Sequence, residues 1–225
     1  MIERFVHHLC VERPAAGETA AEARERLREK FPRAALRRMT HLGLLVGAAL
    51  DDAAFAAADA MVYATTFAET RALEDYLGSF PTPSPLLFQT SIHPSAVQQG
   101  LIARQRPLPR LWPITGRARL VEHALLTALL EPAERCVLIG GEERGTWMLD
   151  HGMASEGAFA FAVLFTSQRA EASGRVNFSP AKATGETGAR DGEPCPSLAD
   201  LAAALAEKRP LRWRGAAGDW SLAWA

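Results

Sequence analysis

The sequence predicts an α/β fold, and three observations carry that prediction. Residues 119–130 place Leu120, Val121, Ala124, Leu125, Ala128 and Leu129 on one broad face at helical spacing. The run Cys136-Val137-Leu138-Ile139 then continues without a polar residue to Gly140-Gly141, the pattern of a strand buried on both faces. Residues 158–165 supply a second such strand after Gly152 and Gly157. A helix feeding into doubly buried strands is the α/β pattern.

The remaining elements are justified in chain order. Residues 19–31 alternate Glu22, Arg24, Glu25, Arg26, Arg28 and Glu29 among alanines, a helix with a solvated face. A second helix begins near Arg33 and carries Leu36, Met39, Leu42, Leu45 and Val46 as an apolar stripe that docks on a core. Residues 60–65, short and apolar, read as a strand, and residues 69–77 as the helix that follows. Pro81, Pro83 and Pro85 restrict the residues before them to extended conformations, so a loop is expected there. A helix over 96–103 follows His93-Pro94-Ser95, since proline and serine favour helix starts. Residues 168–196 lose the apolar pattern and are expected to form a long mobile loop. Ser197 with Asp200 predicts a capped helix through Leu205, and Arg212-Trp213 with residues 220–224 a closing hairpin.

Composition excludes several functions. The chain has 225 residues, 48% of them hydrophobic, enough for one large domain or two small ones. Its 25 Lys and Arg balance 26 Asp and Glu, so no global field draws nucleic acid or anionic lipid. Its apolar runs break well before the roughly 20 residues that a membrane helix needs. Residues 1–8 lack the basic start and apolar block of a signal peptide, which predicts a cytoplasmic location. Cys10, Cys136 and Cys195 are too few and too scattered for a disulfide framework or a zinc site, and His7-His8 and Asp150-His151 lack a third ligand. With no phosphate-cradling glycine loop either, neither metal nor cofactor is expected.

One stretch carries more information. Ser84-Pro85, Phe88 and residues 91–100 are followed by Arg106-Pro107, the strand-like residues 108–114, Thr115-Gly116, the helix over 119–130, and Val137-Leu138-Ile139-Gly140-Gly141-Glu142-Glu143. In this order they resemble the segment around the reactive cysteine of β-ketoacyl synthases, the condensing enzymes of fatty-acid and polyketide assembly. Arg37-Arg38-Met39 and Glu156-Gly157-Ala158 fit the same family. Registered from Arg106-Pro107 forward or from Gly140-Gly141 back, Thr115 falls where the family has its cysteine.

The resemblance implies half of a thiolase-like fold, a mixed sheet with flanking helices, as a single ketosynthase-N-terminal-like domain over 1–225. It also implies lost chemistry. A thiolate at a helix N-terminus takes the acyl chain in the family, whereas a threonine hydroxyl stays protonated, and no glycine-rich histidine motif of the second thiolase half follows residue 158. Polyketide and aryl polyene pathways pair an active synthase with such a degenerate copy, the chain-length factor. The expected partner is therefore an active β-ketoacyl synthase, with acyl carrier protein engaged through the complex and no catalytic residue of this chain's own. Gln89, Thr90, Ser91, Ile92 and His93, on the loop that reaches across in the family, and Trp112, Ile114 and Thr115, on the strand that pairs across the dimer axis, are the partner and acyl-tunnel candidates. Pro109 and Pro113 depart from the family there, because proline cannot donate a ladder hydrogen bond.

The residues leave an alternative: an independent acyl-transfer or thioester-hydrolase enzyme on a shortened α/β scaffold, using His93 with Ser91 or Ser95. Cys136, at the start of an apolar strand, reads as an inert core thiol. Glu142-Glu143-Arg144 reads as a solvated turn, and Trp213, Trp220 and Trp224 as the cover of a core edge.

Overall fold

A computed structural model describes residues 1–52, 54–55, 58–107, 110–181 and 194–225. Pro109 and residues 182–193 of the expected mobile loop lie outside that set. Eight strands form one mixed sheet. In chain order the elements are β1 (Ile2–Glu12), α1 (Ala20–Arg26), α2 (Arg33–Leu36), α3 (His41–Ala49), β2 (Ala60–Thr65), α4 (Thr70–Gly78), α5 (Pro85–Ser91) and α6 (Ser95–Ala103). Then come β3 (Arg110–Thr115), α7 (Leu120–Leu130), β4 (Arg135–Glu142), β5 (Phe159–Thr166), β6 (Gly174–Pro180), α8 (Leu198–Glu207), β7 (Leu211–Arg214) and β8 (Gly218–Trp224).

The strand order is β3-β2-β4-β5-β1-β6-β8-β7. β2 pairs in parallel with both β3 and β4, each crossover carrying helices, while the remaining pairs are antiparallel. On one face α7 and α8 pack over Val62, Leu138, Phe161, Val163 and Trp220. On the other, α3 and α6 cover Met61, Tyr63, Val137, Ile139 and Ala162, and α1 and α2 add a further layer outside α3. β2 and β5 are buried along their whole lengths and β4 from Cys136 on, which is why their sequences read as apolar runs.

Three expectations need correction, and one strand has no counterpart among them. The helix expected from Arg33 breaks into α2 and α3, because the Thr40 hydroxyl accepts from Gly43 N (3.0 Å) and starts a new helix. The loop expected at the three prolines ends sooner: Ser84 caps α5 with Pro85 in its first turn, where a missing N–H costs nothing. Residues 174–180, read as part of a loop, are strand β6, joined to β1 and β8. β1 was not anticipated at all. A bulge between Val6 and His8 breaks its two-residue alternation, so no strand period survives in the sequence.

Candidate functional site

β2, β3 and β4 run in parallel and end on the same side of the sheet, as Thr65, Thr115 and Glu142. Thr115 lies in register with Thr65, and Gly116 N donates to Thr65 O (3.4 Å). Gly116 has φ +148°, a backbone conformation that glycine adopts without strain. Residues 116–119 separate Thr115 from the first residue of α7, so its hydroxyl is exposed at a strand end and not seated on a helix N-terminus. No basic side chain hydrogen-bonds to it among the described residues. Arg117 lies over the Phe67 ring instead, 4.9 Å from its centroid.

β3 is the outermost strand on this side of the sheet, with Arg110, Trp112, Pro113 and Thr115 exposed. Glu131, buried at the end of α7, holds it in place: Trp112 Nε1 donates to Glu131 Oε2 (2.7 Å), and Arg110 pairs with the same carboxylate. Arg4 on β1 in turn donates to the carbonyl oxygens of Glu131, Ala133 (2.9 Å) and Glu134 (3.1 Å), which pins the turn carrying Glu131.

Below the strand ends lies a group of buried carboxylates. Glu69, with no exposed side-chain surface, accepts from Ala96 N (3.1 Å) and pairs with His93 Nδ1 (3.0 Å). The His93 ring stacks on Tyr63 at 5.0 Å between centroids. Glu142 accepts from Thr66 N, and Glu143 from Leu42 N (3.0 Å). Glu74 takes the Thr146 N–H (2.8 Å) and the Met148 N–H (2.9 Å). Glu69, Glu143 and Glu74 thus cap the starts of α6, α3 and the 3₁₀ turn Trp147–His151, elements that begin with unsatisfied N–H groups. Glu142-Glu143 is therefore not the solvated turn expected. Burial pushes the Glu142 carboxyl up to about 7 and that of Glu143 up to about 8. Pro94, which precedes α6, provides no side-chain cap, and the Glu69 carboxylate takes that place from a distance that no local pattern records.

The candidate residues divide into two places. Gln89, Thr90, Ile92 and His93 border a broad groove of about 1320 Å³ together with Arg38, Ser95 and Arg106. Gln89, Thr90 and Ser91 belong to the end of α5 and not to a loop. Trp112, Ile114 and Thr115 lie on β3, outside that groove. His93 has a carboxylate partner but neither serine: the Ser95 hydroxyl donates to Thr90 O (2.6 Å) and the Ser91 hydroxyl to Phe88 O (2.8 Å). Cys136 is buried and its thiol is pushed up to about 12 by that burial, which makes it inert at neutral pH. Trp213 and Trp220 stack within the core edge at 5.6 Å.

No protein-family model and no curated protein matches this sequence. Solved structures do match. The chain superposes over 99% of its length on the whole of a chain from the ketosynthase ApeO in complex with its chain length factor ApeC from Xenorhabdus doucetiae, at a TM-score of 0.64 and 16% identity. The ishigamide ketosynthase/chain length factor matches at 0.57 and 15% identity over 80% of this chain and 68% of that one. A β-ketoacyl synthase from Burkholderia phymatum STM815 matches at 0.54 and 12% identity, over 82% and 66%. The fold is that of thiolase-like ketosynthases.

Proposed function

We propose that this chain is a non-catalytic, chain-length-factor-like subunit that pairs through β3 with an active β-ketoacyl synthase and helps shape its acyl tunnel. The observation that carries the reading is an exposed edge strand, β3, that ends at Thr115, the position that resembles the synthase nucleophile. Support comes from both ends of the sheet. β7, at the far edge, has four residues, two of them arginines, and a short charged edge resists pairing. β3 is longer and presents Trp112, 45% exposed, of the residue type enriched where interfaces are anchored. Further support comes from the matched chain spanned in full, which belongs to a ketosynthase–chain length factor complex.

In this role Thr115 takes no acyl group. Gln89, Thr90, Ile92 and His93 would border the partner's tunnel from the α5 side, and acyl carrier protein would dock through the synthase. Polyketide, fatty-acid and aryl polyene assembly are the pathway settings that the resemblance offers. Co-expression with candidate synthases, followed by mass measurement in solution, is expected to give a one-to-one complex; a chain that stays alone with every candidate sinks the proposal.

A second reading, thioester hydrolysis by the isolated chain, draws on the Glu69–His93 pair, since a buried carboxylate orients an imidazole in many hydrolases. It requires thioester turnover by the purified protein that disappears in His93→Ala.

A further inference from the structure

Among the described residues β3 pairs with β2 alone, and its other side carries a directional defect. Gly116 N donates to Thr65 O, and the ladder runs in unbroken register from Ala60↔Arg110 to Thr65↔Thr115. Backbone groups alternate along a strand. Arg110, Trp112 and Ile114 therefore turn their amide groups towards β2, while Leu111, Pro113 and Thr115 turn theirs outward. Pro113 has no N–H, so its place in β3 leaves the inner ladder intact. The outer edge offers three carbonyl acceptors, at Leu111, Pro113 and Thr115, but only two donors, at Leu111 and Thr115.

A second copy of this chain meets that defect twice. Two copies of β3 related by a two-fold axis pair antiparallel and isologously, so whatever one strand lacks the other lacks too. With Pro113 opposite its symmetry mate, the three outward pairs hold six possible N–H···O bonds. Both bonds of the central pair vanish and four remain. Any other symmetric register that includes Pro113 also loses two. A non-identical strand with all its N–H groups loses one bond and keeps five.

We propose that Pro113 is a specificity residue: it sets β3 against pairing with a second copy of this chain and leaves it for one strand of a different chain that has a full set of N–H donors. This rests on the reading of β3 as the interface. Each restored hydrogen bond stabilises by about 1 kcal/mol, or about fivefold in affinity. Repairing both sites of a self-pair thus strengthens self-association by about 25-fold.

The test is sedimentation of the purified full chain over a concentration series, with Pro113→Val and Pro113→Thr beside the wild type. Both variants restore the same donor on an exposed position, one with an apolar and one with a polar side chain. Both are expected to self-associate at least tenfold more tightly than the wild type, and a further Leu111→Pro change, which removes another outward donor, is expected to reverse the gain. Equal self-association of wild type and both variants overturns the inference. So does a gain with valine alone, which would come from greasy surface and not from a hydrogen bond. Circular dichroism verifies folding of each variant, and an unfolded Pro113→Thr would itself overturn the claim that Pro113 bonds to nothing within the sheet. The two readings fail separately. If no synthase binds the wild type but the variants dimerise, the subunit reading falls and only the effect of Pro113 against self-pairing stands. If a synthase binds and the variants stay like the wild type, the reverse holds.

Discussion

At Thr115 the chain has a hydroxyl at a strand end where resemblance expects a thiolate at a helix start, and the four intervening residues before α7 remove the helix field as well. Replacing the nucleophile alone therefore rebuilds little. Thr115→Cys is expected to give no condensation by the purified chain above the wild-type background, measured by product mass from an acyl and a malonyl carrier substrate; detectable product would show that a decarboxylating partner group had been overlooked. The resemblance points to Thr115 through its flanking motifs, which mark a position even when the residue there differs. His93 was legible only as a histidine. Its partner Glu69 lies 24 positions away, and the two meet only because the residue before α4 caps the start of α6.

Elements behave according to how local their determinants are. α7, β4, β5 and α8 were readable because an apolar period or a Ser197–Asp200 capping box is written within about ten residues. α5 was missed because three prolines signal a break, while the same residue in a first turn starts a helix. β3 depends on a remote residue for its position. Glu131→Ala is expected to free Arg110 and Trp112, to lower stability by about 1–3 kcal/mol, and to speed amide exchange across β3; unchanged exchange in β3 would mean that Glu131 does not hold it. The crossing of α3 and α6 is equally specific. A Cβ on Gly100 would meet the Gly47 backbone at 2.9 Å, which a backbone cannot evade as a side-chain tip can. Gly100→Ala is expected to cost about 1–3 kcal/mol in a denaturant melt, and a neutral result would mean that the two helices separate freely.

For the molecule as a whole, the buried carboxylates set how stability follows pH. Glu142 and Glu143 titrate in the fold near 7 and 8, well above the ordinary 4.5. The fold therefore keeps protons that the unfolded chain releases, and this contribution falls as pH rises from about 4.5 through about 8. His41, pushed down by burial, acts in the opposite sense below its ordinary 6.5, so a difference between variants is cleaner than a single profile. Glu143→Gln keeps an acceptor for Leu42 N but cannot ionise. Its stability relative to wild type is expected to improve by on the order of 2–4 kcal/mol between pH 5 and pH 9 in denaturant melts; a difference flat with pH would show that Glu143 is ionised throughout.

The sequence by itself determined the α/β class, the order of the apolar strands and their helices, the inert Cys136 and the absence of a cysteine at Thr115. The first three are written in composition or in periods shorter than a dozen residues, and the last is what the family resemblance implies. Only the tertiary structure decided that β1 and β6 join the sheet's interior, that Glu69, Glu143 and Glu74 are internal caps, and that β3, among the described residues, is an edge strand paired with β2 alone. The reason is physical. A strand's neighbours, the free side of its ladder and the dryness of a carboxylate are set by pairing between residues far apart in the chain, and no local pattern records that pairing.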